Sequence, residues 1–380
     1  MKTINPLPEF FESKASAQRR LSRPQIVDRY SEQLHELFLV RNPKLRAAPD
    51  TIPTAWAKFQ MQTPKRLKQG IWCYFSWNHS LVHILPKNEF LELSASRNRN
   101  LINSDEQQIL RKFTIGIAGL SVGNSIAVCL AMEGIGHKMK LADLDDLAFS
   151  NLNRLRSSLT VLGMNKAAIA ARQIYEINPY ADLTIADKGL RENNLNSFFQ
   201  SPKIDLFVDE MDDVKMKIKL RLAAKQFKIP VVSAVDNGDY SILDVERFDQ
   251  TPNRPIYHGK FKRLNIEKLD HFNFGQKLKM INEMVGIDLV TSRMKQSLLE
   301  VGNTLYSWPQ LAGAAMLNAS IVTYVIKRIA LGMSVKSGKY EVNFDRVFDA
   351  SYDRPNKKQK RQRETKQFLD MQNKLFLKKQ

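Results

Sequence analysis

The chain has 380 residues, a formal net charge of +19 and 43% apolar residues, which is enough for a sizeable core and excludes a globally disordered chain. Its most apolar stretch, residues 113–132, is interrupted by glycine, serine and asparagine, which excludes a convincing membrane span. Cys73 and Cys129 are the only cysteines, a usage that fits a reducing cytoplasm and excludes a cysteine-cage zinc site. The excess positive charge suggests a polyanionic or acidic partner, and ATP, an acidic peptide and nucleic acid all qualify.

Residues 1–95 are predicted to form a small α+β module. Apolar residues recur at helical spacing between Ile26 and Phe38. Residues 71–86 contain two short aromatic and β-branched runs around SWNHS, a pattern that predicts a β-hairpin. A short helix is expected next, with Ser104 as its N-cap and Gln107 at the capping-box position.

Beyond this module, predicted strands alternate with predicted helices. The strands are expected at 113–120, 138–145, 183–190, 204–212 and 229–237, and the helices at 124–135, 165–179 and 213–227. This alternation predicts an α/β fold with a doubly wound, mainly parallel sheet. A further helix is expected over residues 308–332, ended by Gly332.

We expect residues 96–350 to form this second domain and residues 351–380 to form a basic C-terminal tail. Six basic residues and no acid lie between positions 354 and 363. Such a run of cations is typical of a solvated, partly disordered segment.

A glycine-containing turn, GLSVGN, joins the first strand of this domain to its helix. Backbone N–H groups at such a helix N-terminus can hold phosphate, so Gly119, Ser121 and Gly123 are candidate nucleotide contacts. The turn departs from GxGxxG, because Ser121 and Asn124 replace the second and third glycines. An ordinary tight strand-to-helix turn is therefore the alternative interpretation.

Acids, amides and cations follow the next strand. Asp143 stands where an acid contacts a ribose, and Asp145 follows two residues later. Asn151 and Arg154 can add hydrogen bonds to phosphate, and Lys166 supplies another cation near the start of the next helix. A hydride-transfer site does not need this set, whereas phosphoryl or adenylyl transfer does.

A second acidic segment, VDEMDD, ends the fourth strand. Carboxylates there suit Mg²⁺, which prefers oxygen ligands and takes its remaining ligands from phosphate and water. The metal-binding acid is therefore expected among the carboxylates between Asp209 and Asp213. The sequence therefore predicts Mg·ATP as the nucleotide rather than a nicotinamide.

These segments resemble the signatures of a known family. LADLDDLAFSNLNRLR resembles the DxDxxxxSNLNRQ signature of the ThiF/MoeB/HesA-like adenylating family, relatives of the ubiquitin-activating E1 enzymes, and VDEMDD resembles its DxxDN motif. The resemblance covers roughly residues 95–250. It implies a Rossmann-like adenylation fold, binding of Mg·ATP, and attack of a carboxylate on the α-phosphate to give an acyl-adenylate and pyrophosphate.

The resemblance also implies roles for individual residues. By position, Asp143 matches the ribose-binding aspartate, Arg154 and Lys166 match the phosphate-binding cations, and Asp212 matches the magnesium aspartate. Asn151 lies in the same nucleotide-binding signature. Leu155 and Asp213 depart from the family pattern, which has glutamine and asparagine at these positions.

The family resemblance further implies a homodimer. SRNRNLI resembles the segment that supplies an arginine to the ATP of the partner subunit. Arg99 is the best match in this segment and Arg97 the second. Arg99 is therefore a candidate catalytic residue together with Arg154, Lys166 and Asp212.

The substrate is predicted less directly. Thioester-forming members of the family need a cysteine beyond the magnesium motif, and none follows Cys129, so we expect no enzyme thioester and no zinc. The N-terminal module resembles the peptide clamp of members that modify ribosomally made peptides, as in microcin- or pantocin-type antibiotic biosynthesis. An acidic precursor peptide can then add as a strand to the hairpin at 71–86.

Several alternatives remain open. The N-terminal module can simply brace the dimer. The activated carboxylate can belong to a ubiquitin-like or sulfur-carrier protein. A non-catalytic nucleotide- or nucleic-acid-binding module and a nicotinamide oxidoreductase are further alternatives, which Arg154, Lys166 and Asp212 together disfavour. We expect a cytoplasmic protein with no membrane partner, and nucleic acid is the least expected partner.

Overall fold

The computed structural model of the protein describes residues 7–261 and 266–377, and its N-terminal part is a small sheet with flanking helices. In chain order its elements are β1 (Glu9–Phe11), α1 (Lys14–Arg20), β2 (Gln25–Asp28), α2 (Tyr30–Arg41), α3 (Ile52–Gln62), β3 (Ile71–Phe75), β4 (Ser80–Ile84) and α4 (Lys87–Ser94). The strand order is β1-β3-β4-β2. Strands β3 and β4 pair antiparallel, which confirms the hairpin predicted from the sequence.

Both edges of this hairpin are occupied within the chain. Strand β1 pairs with β3, and β2 pairs with β4. The expectation that a peptide adds to the hairpin itself was therefore wrong, because the main-chain groups along both of its edges already belong to the sheet. Among the described strands, the outer sides of β1 and β2 form the edges of this sheet.

The N-cap of the next helix, α5 (Ser104–Lys112), lies one residue earlier than predicted. Its N-cap is Asn103, whose Oδ1 accepts a hydrogen bond from the Glu106 backbone N at 3.0 Å. In return, Glu106 Oε2 accepts a hydrogen bond from the Asn103 backbone N at 2.8 Å. Gln107 instead donates its side-chain amide to the Gly134 carbonyl at 2.8 Å. Asn103–Glu106 and Ser104–Gln107 both have the spacing of a capping box, and the helix is capped by Asn103–Glu106.

The main sheet and its helices follow. In chain order they are β5 (Thr114–Ala118), α6 (Val122–Met132), β6 (Lys138–Ala142), α7 (Lys166–Ile177), β7 (Asp182–Ala186), α8 (Leu195–Gln200), β8 (Leu206–Asp209), α9 (Val214–Gln226), β9 (Val231–Asn237), β10 (Tyr240–Glu246), α10 (Phe274–Val285), α11 (Ser292–Glu300), α12 (Ala312–Ala330), β11 (Gly338–Val342), α13 (Asp345–Phe348) and α14 (Pro355–Leu377). The strand order is β11-β10-β9-β8-β5-β6-β7. Strands β5 to β9 are parallel. At one edge of the sheet, β10 pairs antiparallel with β9, and β11 pairs antiparallel with β10.

This arrangement confirms the α/β fold with a doubly wound, mainly parallel sheet. One face packs on α6, α7 and α12, and the other on α8, α9 and α10. Successive strands depart from β5 in both directions, so the carboxyl ends of β5, β6 and β8 border the crevice where such sheets bind ligands. None of the helices within the described ranges is both long enough and apolar enough to cross a membrane.

The two sheets share one hydrophobic core. Cys73 and Phe75 of β3 lie in the same buried cluster as Ile117 of β5. The Tyr180 hydroxyl donates to the Leu85 carbonyl at 2.7 Å, which adds a polar contact between the two parts. The N-terminal sheet therefore packs directly on the side of the main domain that carries α6 and α7.

Two predictions near the C-terminus were wrong in detail. Helix α12 is shorter than the predicted 308–332, since residues 308–310 line a cavity instead of continuing the helix. The tail expected to be partly disordered forms helix α14, which packs on α11. Phe368 is 3% exposed, and Lys295 Nζ of α11 donates to Thr365 Oγ1 at 2.6 Å. Thr365 and Phe368 recur at helical spacing on one face, while most cations lie on the others.

Candidate functional site

The turn after β5 is shaped by close packing against β8. Gly119 has φ +86°, and a Cβ there would lie 2.2 Å from the Glu210 carbonyl oxygen. Both the positive φ and the lack of space exclude a side chain at Gly119. Gly123, in the first turn of α6, faces Ile117, where a Cβ would lie 3.0 Å from Cγ2. The two glycines thus bring the start of α6 against the sheet. The hydroxyl oxygen of Ser121 is buried and has no hydrogen-bond partner among the described residues.

Asp143 joins this turn to the end of β6. Its Oδ2 accepts a hydrogen bond from the Leu120 backbone N at 2.6 Å, and its Oδ1 accepts one from the Asp145 backbone N at 2.8 Å. Burial raises the pKa of the Asp143 carboxyl, and these backbone hydrogen bonds oppose the rise. The carboxylate therefore fixes the turn and the segment after β6 in one geometry.

Lys166 begins α7 beside this segment. Its Nζ lies 3.0 Å from Asp145 Oδ2, and its backbone N donates to the Asp145 carbonyl at 2.9 Å. Lys166 is buried, whereas the Asp145 side chain is mostly exposed. The structure thus brings Asp143, Asp145 and Lys166 together at the carboxyl end of β6, as expected.

The residue that positions this lysine, Asn165, is not among the candidates predicted from the sequence. Asn165 caps α7 through its Oδ1, which accepts from the backbone N of Ala167 and Ala168. Its Nδ2 donates to the carbonyls of Asp143 and Asp187, both at 3.0 Å. One side chain therefore ties the ends of β6 and β7 to the first turn of α7. An asparagine directly before a predicted helix is the local signal that identifies it.

The segment that carries Arg154 folds as a short 3₁₀ turn over Phe149–Asn153. The Asn151 side-chain oxygen accepts from the Ala148 backbone N at 3.1 Å. Arg154 Nη1 donates to Asn153 Oδ1 at 2.9 Å, but Nε is buried and has no hydrogen-bond partner among the described residues. Burial lowers the pKa of Arg154, while nearby Asp236 and Asp212 oppose this effect. Leu155, which replaces the family's glutamine, is buried against Leu147 and Ile169.

Arg154 lines a cavity of about 640 Å³, which we call the site cavity. It brings together three predicted residues, Asn151, Arg154 and Asp212, although Asp212 lies 58 positions further along the chain. The remaining wall consists of residues from the ends of β9 and α11 and the segment before α12: Asp236, Met294, Tyr306, Ser307, Trp308, Pro309 and Gln310, together with Ser150 and Asn153.

Asp236 is a second carboxylate that the sequence analysis did not single out. It is 7% exposed, and its oxygens accept from Gln310 Nε2 at 2.9 Å and Asn318 Nδ2 at 2.6 Å. Burial raises its pKa, and the hydrogen bond from Gln310 and the charge of Arg154 oppose the rise. Asp236 therefore faces Arg154 as a fixed buried acid, whereas Asp212 is exposed.

The neighbouring Asp213 has a structural role. Its Oδ1 accepts from the Met216 backbone N at 2.6 Å, which makes it the N-cap of α9. Aspartate and asparagine cap helices equally well, so this departure from the family motif leaves the local structure intact. Asp212 itself is exposed and lines the site cavity.

Arg99 lies elsewhere in the subunit. It is exposed and follows the 3₁₀ turn Ser96–Asn98. It lines a different cavity of about 580 Å³ between α2, α4 and α5, which shares no lining residue with the site cavity. The structure therefore does not bring Arg99 to Arg154 within one chain, and its role in a partner's site stays a prediction.

The donor set at the site cavity fits Mg²⁺ bound together with phosphate. No group of three or more His, Cys, Asp or Glu residues able to hold a metal ion occurs within residues 7–261 and 266–377. A single exposed carboxylate, Asp212, is what Mg²⁺ uses when nucleotide phosphates and water complete its shell. The buried Nε of Arg154, with no partner among the described residues, is a donor available to such a phosphate.

Comparison with known families shows which family the chain belongs to. The sequence model of the ThiF family matches residues 95–299, more than half of the chain. The chain belongs to the ThiF family. Members of the ThiF family are E1-like adenylating enzymes, and the match includes the glycine turn, Arg154, Lys166 and Asp212.

This ThiF-family chain is similar to several individual proteins. It is 34% identical over 325 residues to the uncharacterized protein MT1398 of Mycobacterium tuberculosis, covering 86% of this chain but 42% of that protein. It is 26% identical over 181 residues to the tRNA threonylcarbamoyladenosine dehydratase of Bacillus subtilis, covering 46% of this chain and 70% of that protein. It is 27% identical over 172 residues to the molybdopterin-synthase adenylyltransferase of Haemophilus influenzae, covering 43% and 68%. The chain thus spans less than half of the Mycobacterium relative.

Among solved structures, this chain is similar to E. coli MccB bound to AMPCPP and MccA. The TM-score is 0.45 with 18% sequence identity, and the match covers 66% of this chain and 71% of that one.

Proposed function

We propose that the protein uses Mg·ATP to adenylate a carboxylate of a ribosomally made peptide, as a homodimer and without an enzyme thioester. The observation that carries this proposal is the site cavity, in which Arg154 and Asp212 meet at the carboxyl ends of the strands. Lys166 and Asp143 stand at the adjacent end of β6. A cation pair and a metal-binding acid around one crevice are what adenylyl transfer requires.

Each residue has a role in this proposal. Asp212 would hold Mg²⁺, which when bound supplies charge that stabilises the triphosphate oxygens. Arg154 would donate to the phosphates through its guanidinium, and Lys166, oriented by Asp145, adds a second cation. Asp143 stands at the ribose position, and the turn with Gly119 leads into the N-terminus of α6.

The peptide substrate is supported by the N-terminal sheet and by the charge of the chain. The outer sides of β1 and β2 offer main-chain groups that an extended peptide can pair with. The net charge of +19 favours an acidic peptide. The sheet itself packs on the side of the main domain that carries α7.

ATP–pyrophosphate exchange tests the proposal. We expect magnesium-dependent exchange that requires a peptide with a free carboxylate. Absence of ATP binding in calorimetry, together with tight NAD binding, would contradict it and favour an oxidoreductase. Binding of ATP without exchange for any substrate would favour a non-catalytic nucleotide-binding module.

The names of two relatives define the comparison substrates. The Haemophilus relative is named for an adenylyltransferase of molybdopterin synthase, which favours a sulfur-carrier or ubiquitin-like protein as the second candidate substrate. The Bacillus relative is named for action on a tRNA nucleoside, so tRNA belongs in the same assay. Exchange that a carrier protein or tRNA supports, and that peptides do not, would replace the peptide in this proposal.

Neither cysteine is expected to act in catalysis. Burial raises the pKa of Cys73 to about 12, and burial also raises the pKa of Cys129, so neither thiol ionises readily near neutral pH. The Cys73→Ala/Cys129→Ala variant should keep exchange and product formation and lose about 1–2 kcal/mol of stability for each buried thiol removed. Exchange that persists while product formation stops would instead indicate a thioester intermediate.

Mixed dimers test the trans role proposed for Arg99. Arg99→Ala and Lys166→Ala should each be nearly inactive alone. Mixed together they should regain exchange, because one hybrid site combines intact Arg99 from one subunit with intact Lys166 from the other. Lys166→Ala mixed with Asp212→Asn is the control, since each hybrid site then lacks one of two residues of the same subunit. Subunit exchange is verified with differential tags, and hybrids that form without recovery would withdraw the assignment.

A further inference from the structure

A separate cavity of about 400 Å³ lies between the turn of the N-terminal hairpin and α7. We call it the hairpin cavity, and its polar wall includes Trp77, Arg156, Ser157, Ser158, Thr160 and Arg172. It shares no lining residue with the site cavity. It is therefore not an extension of the proposed nucleotide site.

Two guanidinium groups, those of Arg156 and Arg172, line this cavity. Neither Arg156 nor Arg172 forms an ion pair with a residue in the described ranges. Arg172 is stacked on the Trp77 ring, 5.6 Å from its centroid, and its Nε is buried without a hydrogen-bond partner among the described residues. Burial lowers the pKa of Arg172, which Glu176 partly opposes. An anion would satisfy these donors.

The nearby acid and hydroxyls have distinct roles. Glu176 Oε1 accepts from Trp77 Nε1 at 2.6 Å and from Asn78 Nδ2 at 3.2 Å, so its carboxylate holds the hairpin turn against α7. Ser157 Oγ is buried and lacks a hydrogen-bond partner among the described residues. The cavity thus combines free guanidinium donors, a free hydroxyl and an aromatic wall.

Helix α7 runs from the proposed nucleotide site to the hairpin cavity. Lys166 begins this helix, and its residues at positions 169, 172, 173 and 176 line the cavity. The six residues of helix from Lys166 to Arg172 span about 9 Å. Gln173 accepts from Asn124 Nδ2 at 2.8 Å, which joins the cavity wall to the first turn of α6 beside the glycine turn. An extended peptide covers this distance in about three residues.

We propose that the hairpin cavity binds a carboxylate side chain of the substrate peptide, about three residues from the carboxylate that is adenylated. This rests on the proposed function, because it takes the substrate to be a peptide. Arg156 and Arg172 pair with the carboxylate, and the Trp77 ring covers its aliphatic part. The acid Glu176 in the wall disfavours a run of nucleic-acid phosphates, which need an open basic track. The cavity therefore selects acidic peptides by position as well as by overall charge.

Binding without ATP tests this proposal independently of adenylation. The probes are a capped heptapeptide with one central glutamate and the same peptide with glutamine. Tryptophan fluorescence reports occupancy, and Trp77→Phe identifies the part of the signal that belongs to this cavity. We expect the glutamate peptide to give a Trp77-dependent change, the glutamine peptide to bind about tenfold more weakly, and Arg156→Gln to weaken binding of the glutamate peptide by about tenfold.

Arg46→Gln is the matched control, because Arg46 is exposed and lies outside this cavity. It removes the same charge and should leave binding unchanged. Arg172→Lys, checked for folding by its melting temperature, should also weaken binding, since lysine lacks the planar fork. Equal affinity for the two peptides, or equal effects of Arg156→Gln and Arg46→Gln, would overturn the proposal. A uridine decanucleotide that produces the Trp77-dependent change while the peptide does not would overturn it in favour of phosphate. Failure of pyrophosphate exchange alone leaves these binding results interpretable.

Discussion

Replacement of Asp212 by asparagine is expected to lower ATP–pyrophosphate exchange by about a thousandfold. The substitution keeps the size and shape of the side chain but removes the charge that a Mg²⁺ ligand needs. Asp212 is exposed in the site cavity beside Arg154 and forms no ion pair with a described residue, so the fold does not depend on it. We therefore expect the melting temperature to change little while turnover is lost.

Asp239→Asn is the matched control for this prediction. Asp239 is an exposed carboxylate in the turn after β9, near the same edge of the sheet, and it does not line the site cavity. Its removal should leave exchange within about twofold, because Asp239 is exposed and does not line the site cavity. Asp212→Asn that remains as active as Asp239→Asn at limiting magnesium would show that Asp212 is not the metal ligand.

The parts of the site that could be predicted from sequence are those built by local structure. Asp143 and Lys166 stand directly at the end of a strand and at the start of a helix, so the strand–helix alternation alone places them at one edge of the sheet. Asn165 had the same local signal as a helix cap and was available by the same reasoning.

The rest of the site depends on contacts between distant parts of the chain. Asp236 binds Gln310 and Asn318, which are 74 and 82 positions away. No periodicity or motif joins these positions, and the segment 308–310 was assigned to a helix because a proline stands near a plausible first turn. The wall of the site cavity opposite Arg154 therefore follows from how α12 packs on β9.

Composition obscured the C-terminal helix in a similar way. The cations between positions 354 and 363 led to a prediction of a solvated tail, although Thr365 and Phe368 continue a helical face. Packing of that face on α11, including the buried Lys295–Thr365 hydrogen bond, determines the observed helix. In this case the spacing of a few buried residues was more informative than the charge of the exposed ones.

The largest effect on stability is expected at Arg221, which in the sequence is one cation among several in α9. Arg221 is 1% exposed, its Nη1 pairs with buried Asp209, and its Nε donates to Glu246 Oε2 at 2.9 Å. Its guanidinium also lies 4.1 Å from the centroid of the Tyr257 ring. Arg221→Leu should lower the free energy of unfolding by about 3–5 kcal/mol, because it leaves buried Glu246 without its ion-pair partner and leaves buried Asp209 paired with Lys217 alone.

The pH dependence of the loss distinguishes this cause from simple loss of packing. Burial already raises the pKa of Glu246, and Arg221 opposes the rise, so removing Arg221 raises that pKa further. A carboxyl whose folded pKa lies above its unfolded pKa stabilises the fold at low pH, and this contribution is lost as pH rises through the folded pKa.

Urea denaturation should therefore show a smaller loss for Arg221→Leu at pH 5 than at pH 8, and Arg221→Leu/Glu246→Gln should recover part of the loss at pH 8. Lys219→Leu, on the same helix and paired with exposed Glu192, should cost much less. A loss for Arg221→Leu that is equal at both pH values and is not relieved by Glu246→Gln would assign the effect to packing of the arginine side chain.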